Sequence, residues 1–307
     1  MRVAIVDMGT NTFNLLVVET NENSQYKILH NSKFAVKLGE GGIDKKFITP
    51  EAWVRGINAL DSHMATIASF KVDKAFAFAT SATRDASNGQ EFVDTIYSRH
   101  NLKVNVIKGD QEALLIYKGV KQAVDLGNEI NLILDIGGGS NEMIICNSYQ
   151  TFWIQSFNLG VQRLLEQFKP IDPITKDEII SVEKYLDEKL ESLVEQAKKY
   201  KPTRLIGSSG SFDTYRSLLT QTGYIPVNQN KSADIPLKDY QLLHQTLLSS
   251  TRSERVAMKG MEPIRVDYIV LASIFTNFVI DRLNIKSIIQ SDYALKEGAL
   301  WEILFEN

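Results

Sequence analysis

The chain has 307 residues, more than one hydrophobic core usually supports, so the length predicts two domains. With 44% hydrophobic residues, 23% charged residues and a net charge of −3, the composition indicates a soluble globular protein and excludes a general attraction to nucleic acid or an anionic membrane. A single cysteine, no signal-peptide pattern and no apolar run of about 18 residues together predict a cytoplasmic protein without disulfides or membrane spans.

The first part of the sequence, residues 1–124, predicts three strands followed by alternating helices and strands. Two apolar runs, "RVAIVD" and "NLLVVET", flank the glycine- and threonine-rich turn "MGTNTF", which is typical of a hairpin. Thr49 before Pro50 predicts a helix start, because threonine caps a helix and proline fits its first position. The other predicted elements here are the strand "QYKILHNSK", the strand "KAFAFAT", the helix "GQEFVDTIYSRH", the strand "KVNVIK" and a helix over 111–124.

The second part, residues 125–307, begins the same order again. Three strands are predicted at "NLILDIG", "EMIICNS" and "QTFWIQSF", with a glycine-rich loop between the first two. A long helix is predicted from about Thr175 to Tyr200, because Thr175 and Glu178 form a capping-box pattern. The later predicted elements are the strand "TRLIGSSG", helices at about 211–219, 236–250 and 264–281, the strand "SIIQSD" and a last helix at about 293–305.

The two parts can be aligned with each other. Asp7 and Gly9 match Asp135 and Gly137, each 128 positions later, and an apolar residue follows eight positions after each acid. The simplest interpretation is an internal duplication of one strand-and-helix unit. Two such domains facing each other would direct both glycine turns into one cleft.

Three turns of small residues are candidate phosphate sites. Such turns point several backbone N–H groups in one direction, and Ser and Thr hydroxyls add further donors. The third turn precedes a predicted helix, whose N-terminus would favour an anion. The candidate phosphate-binding residues in these turns are Gly9, Thr10, Asn11, Thr12, Gly137, Gly138, Gly139, Ser140, Gly207, Ser208, Ser209 and Gly210.

Acidic residues lie next to these turns, although carboxylates repel phosphate. Asp7 and Asp135 end the first strand of each part, and Glu142 follows the second glycine turn. Carboxylates can bind Mg²⁺ together with phosphate oxygens, or can orient a water molecule. From the residues alone, an ordinary first-turn helix position explains Glu112 better than a role in the cleft. Arg84 is explained as a salt-bridge partner of Asp85.

Several other site types are excluded by pattern. The four histidines are scattered, so neither a zinc site nor a di-iron site is expected. No Gly-x-Ser-x-Gly elbow, no P-loop motif and no Gly-x-Gly-x-x-Gly helix start occurs, which argues against a serine hydrolase, a P-loop NTPase and a dinucleotide enzyme.

Taken in order, eight stretches of the chain resemble the exopolyphosphatase/guanosine-pentaphosphate phosphatase family. They are "VDMGTNTFNLLV", "ATSATRDASN", "IKGDQEALL", "LDIGGGSNEMII", "SFNLGVQRLLEQF", "LIGSSGSF", "ERVAMKGMEPIRVDYIVLA" and "SDYALKEGAL". The resemblance implies an α/β protein with two ribonuclease-H-like domains of the actin/hexokinase/Hsp70 superfamily flanking a central cleft. We expect an N-terminal domain over 1–124 and a C-terminal domain over 125–307, with the last helix packing back on the first domain.

The resemblance also implies roles for individual residues. It implies hydrolysis of a terminal phosphoanhydride bond with Mg²⁺ or another divalent cation, with Glu112 as the general base. Asp135 and Glu142 match the family's metal- and water-binding acids, and Asp7 is a further candidate metal ligand. The two glycine turns match its phosphate loops, and Arg84 matches a basic residue facing the phosphates. For Glu112 and Arg84, the resemblance favours a functional role over a purely structural one.

The chain departs from the family pattern at a few positions. Thr10 and Thr12 stand where the family usually has serine, which keeps the hydroxyl groups. Asn14 replaces a basic residue or histidine, which removes a positive group near the phosphates, and Asn141 replaces threonine. The sequence ends before the helical HD-like C-terminal region that long members carry, and from this we expect short polyphosphates or nucleotide-linked phosphates as substrates.

The expected function is therefore exopolyphosphatase activity on inorganic polyphosphate. A guanosine pentaphosphate phosphohydrolase and a non-catalytic polyphosphate or alarmone sensor remain alternatives, and a sugar kinase of the same superfamily is disfavoured. No nucleic acid or membrane partner is expected, whereas the last helix could support a homodimer. Four basic residues are candidates either for guiding a longer polyanion or for surface salt bridges: Lys108, Arg163, Arg255 and Arg265.

Overall fold

The computed structural model describes residues 1–21, 25–227 and 230–306. Its first domain is built on a five-stranded sheet with the strand order β3-β2-β1-β4-β5. The elements are β1 (Arg2–Met8), β2 (Thr12–Thr20), β3 (Tyr26–Ala35), α1 (Pro50–Ser69), β4 (Lys74–Ala79), α2 (Ser81–Arg84), α3 (Gly89–His100), β5 (Val104–Val106) and α4 (Gly109–Val120).

The second domain is built on a six-stranded sheet with the order β10-β11-β9-β6-β7-β8. Its strands are β6 (Asn131–Ile136), β7 (Asn141–Cys146), β8 (Thr151–Phe157), β9 (Arg204–Ser208), β10 (Ser232–Ile235) and β11 (Ser287–Ser291). Its helices are α5 (Val161–Phe168), α6 (Lys176–Lys189), α7 (Glu191–Tyr200), α8 (Ser209–Gln221), α9 (Leu237–Ser249), α10 (Arg252–Ala257), α11 (Ile269–Leu283) and α12 (Leu295–Phe305), with a 3₁₀ turn at Pro263–Arg265.

The two sheets repeat one topology, which confirms the predicted two-domain ribonuclease-H-like fold. In each, three antiparallel strands form a meander, and the first of them pairs in parallel with a later strand. The second sheet adds β10 as an antiparallel edge strand. Asp7 and Asp135 lie at equivalent positions near the ends of β1 and β6, so the alignment made from the sequence is correct.

Local signals fixed several helix boundaries. Thr49 caps α1 by accepting a hydrogen bond from the amide of Ala52, and Thr175 and Glu178 form the predicted capping box of α6. The single helix predicted over 175–200 is interrupted at Leu190, where ψ is 18°, so α6 and α7 are separate. Leu190 is itself buried at this junction, which keeps the apolar stripe continuous in the core.

Short elements were not predicted from the sequence. The helices α2 and α10 have 4 and 6 residues and β10 has 4, too few to show a period. The eight-residue helix α5 was also missed. The helix expected at 264–281 begins at Ile269, because the 3₁₀ turn at Pro263–Arg265 comes first.

The last helix, α12, lies against α4 of the first domain. Gly119 and Gly298 let the two helices approach backbone to backbone, since a Cβ at Gly298 would overlap the Leu115 carbonyl. Lys118 on α4 pairs with Glu302 on α12 over 2.7 Å. Helix α4, whose first turn carries Glu112, is therefore held along its middle and its C-terminal end by a helix from the other end of the chain.

Within the described ranges, no helix is both long and apolar enough to cross a lipid bilayer.

Candidate active site

Both domains contribute to a cleft of about 480 Å³. Its walls are the β1–β2 turn, the β6–β7 turn and the N-terminal ends of α4, α8 and α12. The cleft is lined by most of the residues that the sequence predicted, namely Asp7, Gly9, Thr10, Asn11, Thr12, Glu112, Asp135, Gly137, Gly138, Gly139, Ser140, Ser209 and Gly210.

The two glycine turns touch each other across the cleft. A Cβ placed on Gly138 would lie 2.7 Å from Cγ of Asn11, and one on Gly139 would lie 2.5 Å from the Ser81 hydroxyl oxygen. Real Cβ atoms do not come so close, so glycine is needed here for the approach of the two domains. The turns thus face one small volume, as the duplicated sequence predicts.

The carbonyl groups of the second turn are engaged by helix α5. The amides of Val161 and Gln162 donate to the carbonyls of Gly137 and Gly138 over 3.0 and 2.9 Å. The Gly137 amide is also engaged, by the Ser140 carbonyl over 3.1 Å, so the amides of Gly138 and Gly139 are the donors that remain for an anion.

Two buried polar side chains in the cleft lack a hydrogen-bond partner among the described residues. Asn11 is 4% exposed, and neither its amide nitrogen nor its amide oxygen is bonded. Arg265 is 6% exposed with an unbonded Nε, and its guanidinium lies against Gly210. A buried unpaired polar group costs about 1–3 kcal/mol, so a bound anion or water would relieve both.

The acids at the ends of β1 and β6 have different partners. Asp135 accepts a hydrogen bond of 2.7 Å from the Ser208 hydroxyl and lies directly opposite Glu142 in the β6–β7 ladder. Glu142 accepts one of 2.7 Å from Ser156. Asp7 instead lies opposite Asn14, whose amide donates to it over 2.9 Å.

Burial and mutual repulsion raise the pKa values of the acids in and behind the cleft. Desolvation raises the pKa of Asp7 to about 6. Desolvation and the charge of Asp135 raise the pKa of Glu142 to about 7. Desolvation and the charge of Glu142 raise the pKa of Glu112 well above its usual value, although Arg84 opposes this. Such perturbed groups in a cleft are typical of functional sites.

Glu112 projects from the first turn of α4, and its position is fixed from two sides. Arg84 donates from Nη1 to Oε2 of Glu112 over 3.2 Å. On the other side, Gly109 packs so closely on Ser156 that a Cβ there would overlap the serine side chain. Ser156 also donates to Glu142, so it contacts both the first residue of α4 and Glu142.

Four of the predicted residues lie behind the wall of the cleft rather than on its surface. Glu142 and Ser208 are buried, and Ser208 holds Asp135. Gly207 packs under Phe212, whose ring a Cβ would overlap. Arg84 bonds to Glu112 and Asp85, so it faces these two carboxylates and not the open cleft. Direct phosphate contact by Arg84, Gly207 and Ser208 stays a prediction, as does the metal- and water-binding role of Glu142.

Sequence reasoning missed cleft residues that carry charge. Lys296 lines the cleft at the start of α12 and pairs with Glu297 over 3.1 Å. Burial lowers the pKa of Lys296, but the carboxylates of Glu297 and Asp7 outweigh this and raise it. Asp213 also lines the cleft, and burial raises its pKa to about 6. The stretch "SDYALKEGAL" was noticed in the sequence, but nothing in it marked the lysine as a cleft residue.

The four basic residues considered from the sequence lie in different surroundings, and Lys108 is exposed and does not line the cleft. Arg265 lines the cleft. Arg163 is bonded to the Gly139 carbonyl and to Asp85, and Arg255 is bonded to Asp172 and to backbone carbonyls. The salt-bridge interpretation therefore holds for Arg163 and Arg255.

A divalent cation fits the oxygen donors of the cleft. Asp7 and Asp135 both line it, and the charge of Asp135 contributes to the raised pKa of Asp7. Mg²⁺ uses one or two carboxylates and completes its ligands with water and phosphate oxygens. Among the described residues, no three His, Cys, Asp or Glu side chains are grouped closely enough to hold a metal by themselves. A cation here would therefore take its remaining ligands from water and phosphate oxygens.

Comparison with known proteins gives consistent matches over almost the whole chain. A model of the Ppx/GppA phosphatase family matches residues 16–306. The structure is similar to the crystal structure of an exopolyphosphatase from Cytophaga hutchinsonii, with a TM-score of 0.96, 39% identity, and coverage of 99% of this chain and 98% of the other.

Two further matches are more distant. The Ppx/GppA family member of Aquifex aeolicus has a TM-score of 0.81 and 24% identity over 100% of this chain and 99% of its own, and supports the fold. A bifunctional 3-dehydroquinate synthase/phosphatase of Fusobacterium nucleatum is 29% identical over 97% of this chain. This chain spans only 46% of the length of that relative.

Proposed function

The chain belongs to the Ppx/GppA phosphatase family, and we propose that it removes the terminal phosphate of inorganic polyphosphate by attack of water on the phosphoanhydride bond. The similar Cytophaga hutchinsonii protein is described as an exopolyphosphatase, which favours this substrate. The observation that carries the proposal is the placement of Glu112. This buried carboxylate with a raised pKa lines the same cleft as two facing glycine turns.

In the proposed reaction, the amides of the two turns hold the oxygens of the terminal phosphoryl group. Glu112 accepts a proton from water while the water oxygen bonds to phosphorus and the bridging P–O bond breaks. The products are orthophosphate and a chain one phosphate shorter. A base with a raised pKa suits this step, because its ionised form is more basic and takes the proton more readily.

Asp7 and Asp135 are the residues that would hold a divalent cation at the cleft surface, with Glu142 behind them. A bound Mg²⁺ would supply positive charge to the phosphoryl oxygens. Ser208 and Asn14 keep Asp135 and Asp7 oriented toward the cleft. The contact between Gly138 and Asn11 keeps the two turns close together. The buried thiol of Cys146 suits a reducing cytoplasm, which we propose as the location.

A nucleotide-linked phosphate is a second candidate because of two acids at one end of the cleft. Asp213 and Asp292 both line it, and Asp213 accepts a hydrogen bond of 2.8 Å from Gln290. Asp292 is paired with Arg216 over 2.9 Å, so Asp213 is the carboxylate that would repel a continuing polyphosphate chain. Hydroxyl groups of a ribose could instead donate to these acids. Guanosine pentaphosphate is the substrate of this kind that the family suggests.

The test is orthophosphate release from polyphosphates of defined length and from guanosine pentaphosphate, measured side by side with Mg²⁺. The proposal predicts release from polyphosphate with the higher kcat/KM. Faster release from guanosine pentaphosphate would favour the second candidate. Tight binding of either compound without phosphate release would contradict both and would indicate a sensor.

A further inference from the structure

Asp85, the residue that follows helix α2, joins two arginines from different domains. Its Oδ1 accepts a hydrogen bond of 3.3 Å from Nε of Arg84 in the first domain. Its Oδ2 accepts one of 2.8 Å from Nη2 of Arg163, on helix α5 of the second domain. The Ser81 hydroxyl also donates to Oδ2 over 3.2 Å, which fixes the carboxylate plane.

Each arginine also donates a hydrogen bond to a residue that lines the cleft. Arg84 donates from Nη1 to Glu112 over 3.2 Å and to the carbonyl of Ile107 over 3.1 Å. Arg163 donates from Nε to the carbonyl of Gly139 over 2.8 Å. An unbroken chain therefore runs from Glu112 through Arg84, Asp85 and Arg163 to the second glycine turn.

The members of this chain are largely shielded from water. The exposed fractions of the side chains are 10% for Glu112, 13% for Arg163, 20% for Arg84 and 22% for Asp85. Exposed ion pairs contribute little, but charged networks at low exposure couple their members more strongly. Asp85 does not line the cleft, so any effect on the reaction must pass through the two arginines.

We propose that Asp85 is a positioning residue that sets the orientation of Glu112 and the position of the 137–140 turn together, across the domain interface. The proposal rests on the proposed function for its kinetic consequence. The alternative is a local role in which Asp85 only ends helix α2 and stabilises the first domain. The two roles differ in what happens at residues 109–116 and 137–143, which lie outside α2.

The experiment compares Asp85→Asn with Asp85→Glu and with a control substitution, Asp61→Asn. Asp61 also pairs with an arginine of the first domain, Arg99, over 2.6 Å, but this pair is more exposed and neither residue lines the cleft. For Asp85→Asn we expect kcat to fall about tenfold and KM for polyphosphate to rise, as for coupled network members. Asp85→Glu should recover most of kcat because it keeps the charge, and Asp61→Asn should change neither parameter.

Amide hydrogen exchange gives a readout that does not need turnover. In Asp85→Asn we expect faster exchange in peptides covering both 109–116 and 137–143, with the rest of the second domain unchanged. Faster exchange confined to 81–88, or kcat and KM both within about twofold of wild type, overturns the proposal. If the wild-type protein releases no phosphate, the proposed function fails, whereas the exchange pattern still decides the role of Asp85.

Discussion

Asn14 occupies in the first sheet the position that Glu142 occupies in the second. Each lies directly opposite the aspartate near the end of the first strand, Asp7 or Asp135. The duplicated framework therefore carries a carboxylate pair on one side of the cleft and a carboxylate–amide pair on the other. The Asn14 amide donates to Asp7 over 2.9 Å, so the first side has less negative charge to place beside a phosphate.

Asn14→Asp should weaken phosphate binding, because it places a pair of carboxylates on both sides of the cleft. The substitution removes the hydrogen bond to Asp7 and places a second carboxylate beside it. We expect the Kd for pyrophosphate without divalent cation to rise about tenfold, which is the free-energy change that a pKa shift of one unit represents. Calorimetric titration measures this, with Asn14→Leu as the control that loses the hydrogen bond without adding charge. Equal affinity in Asn14→Asp and wild type would contradict the prediction.

The rate should fall at low pH, and the midpoint of this acidic limb should lie well above the usual pKa of glutamate. Glu112 must be ionised to accept a proton, and desolvation together with Glu142 raises its pKa. As pH falls through that raised pKa, kcat/KM should fall about tenfold per pH unit, reporting the coupled acids of the cleft.

Arg84 provides the control for the direction of this pH effect. Arg84 lowers the pKa of Glu112, so removing its charge in Arg84→Met should move the acidic limb to higher pH. Arg99→Met removes an exposed arginine of the same domain and should leave the limb in place. A wild-type midpoint near the ordinary glutamate value of about 4.3 would show that another group is the base.

Mg²⁺ should stabilise the folded protein more at pH 8 than at pH 5.5. The pKa values of Asp7 and Glu142 are raised to about 6 and about 7, so the folded state retains protons that the unfolded chain has lost. The contribution of these groups to stability therefore decreases as pH rises from about 4 to about 7, and a cation can replace the lost protons.

Thermal unfolding with and without Mg²⁺ checks this prediction. A cation at 100 times its Kd stabilises by about 2.7 kcal/mol, which corresponds to a rise in Tm of about 5 °C. Asp135→Asn should lose most of the rise at pH 8. A rise of equal size at both pH values, or one retained in Asp135→Asn, would place the cation elsewhere.

The sequence predicted the framework because the repeated pattern is local. Asp7 and Asp135 each follow an apolar run and precede a glycine turn, and this order specifies both sheets and the facing turns. The ion-pair chain through Asp85 could not be predicted, because Arg84 and Arg163 are 79 positions apart in the sequence and meet only when the domains pack. Lys296 was missed for the same reason, since α12 reaches the cleft only by packing on α4.

The glycine turns also carry information that composition alone does not give. Gly138 and Gly139 were predicted as phosphate-binding residues, and the structure adds that each is needed where the opposite domain comes close. Gly207 looked equivalent in the sequence, yet it packs under Phe212 away from the cleft surface. The difference depends on the neighbour in space, which a single sequence does not show.

The most direct test of the central claim is the turnover of Glu112→Gln with polyphosphate and Mg²⁺. Glutamine keeps the shape and a hydrogen-bond acceptor for Arg84 but cannot take a proton from water. We expect kcat to fall by about 10²–10⁴, the usual contribution of a general base, while pyrophosphate binding stays within about threefold of wild type. Near-normal turnover in Glu112→Gln would contradict the assignment of Glu112 as the base.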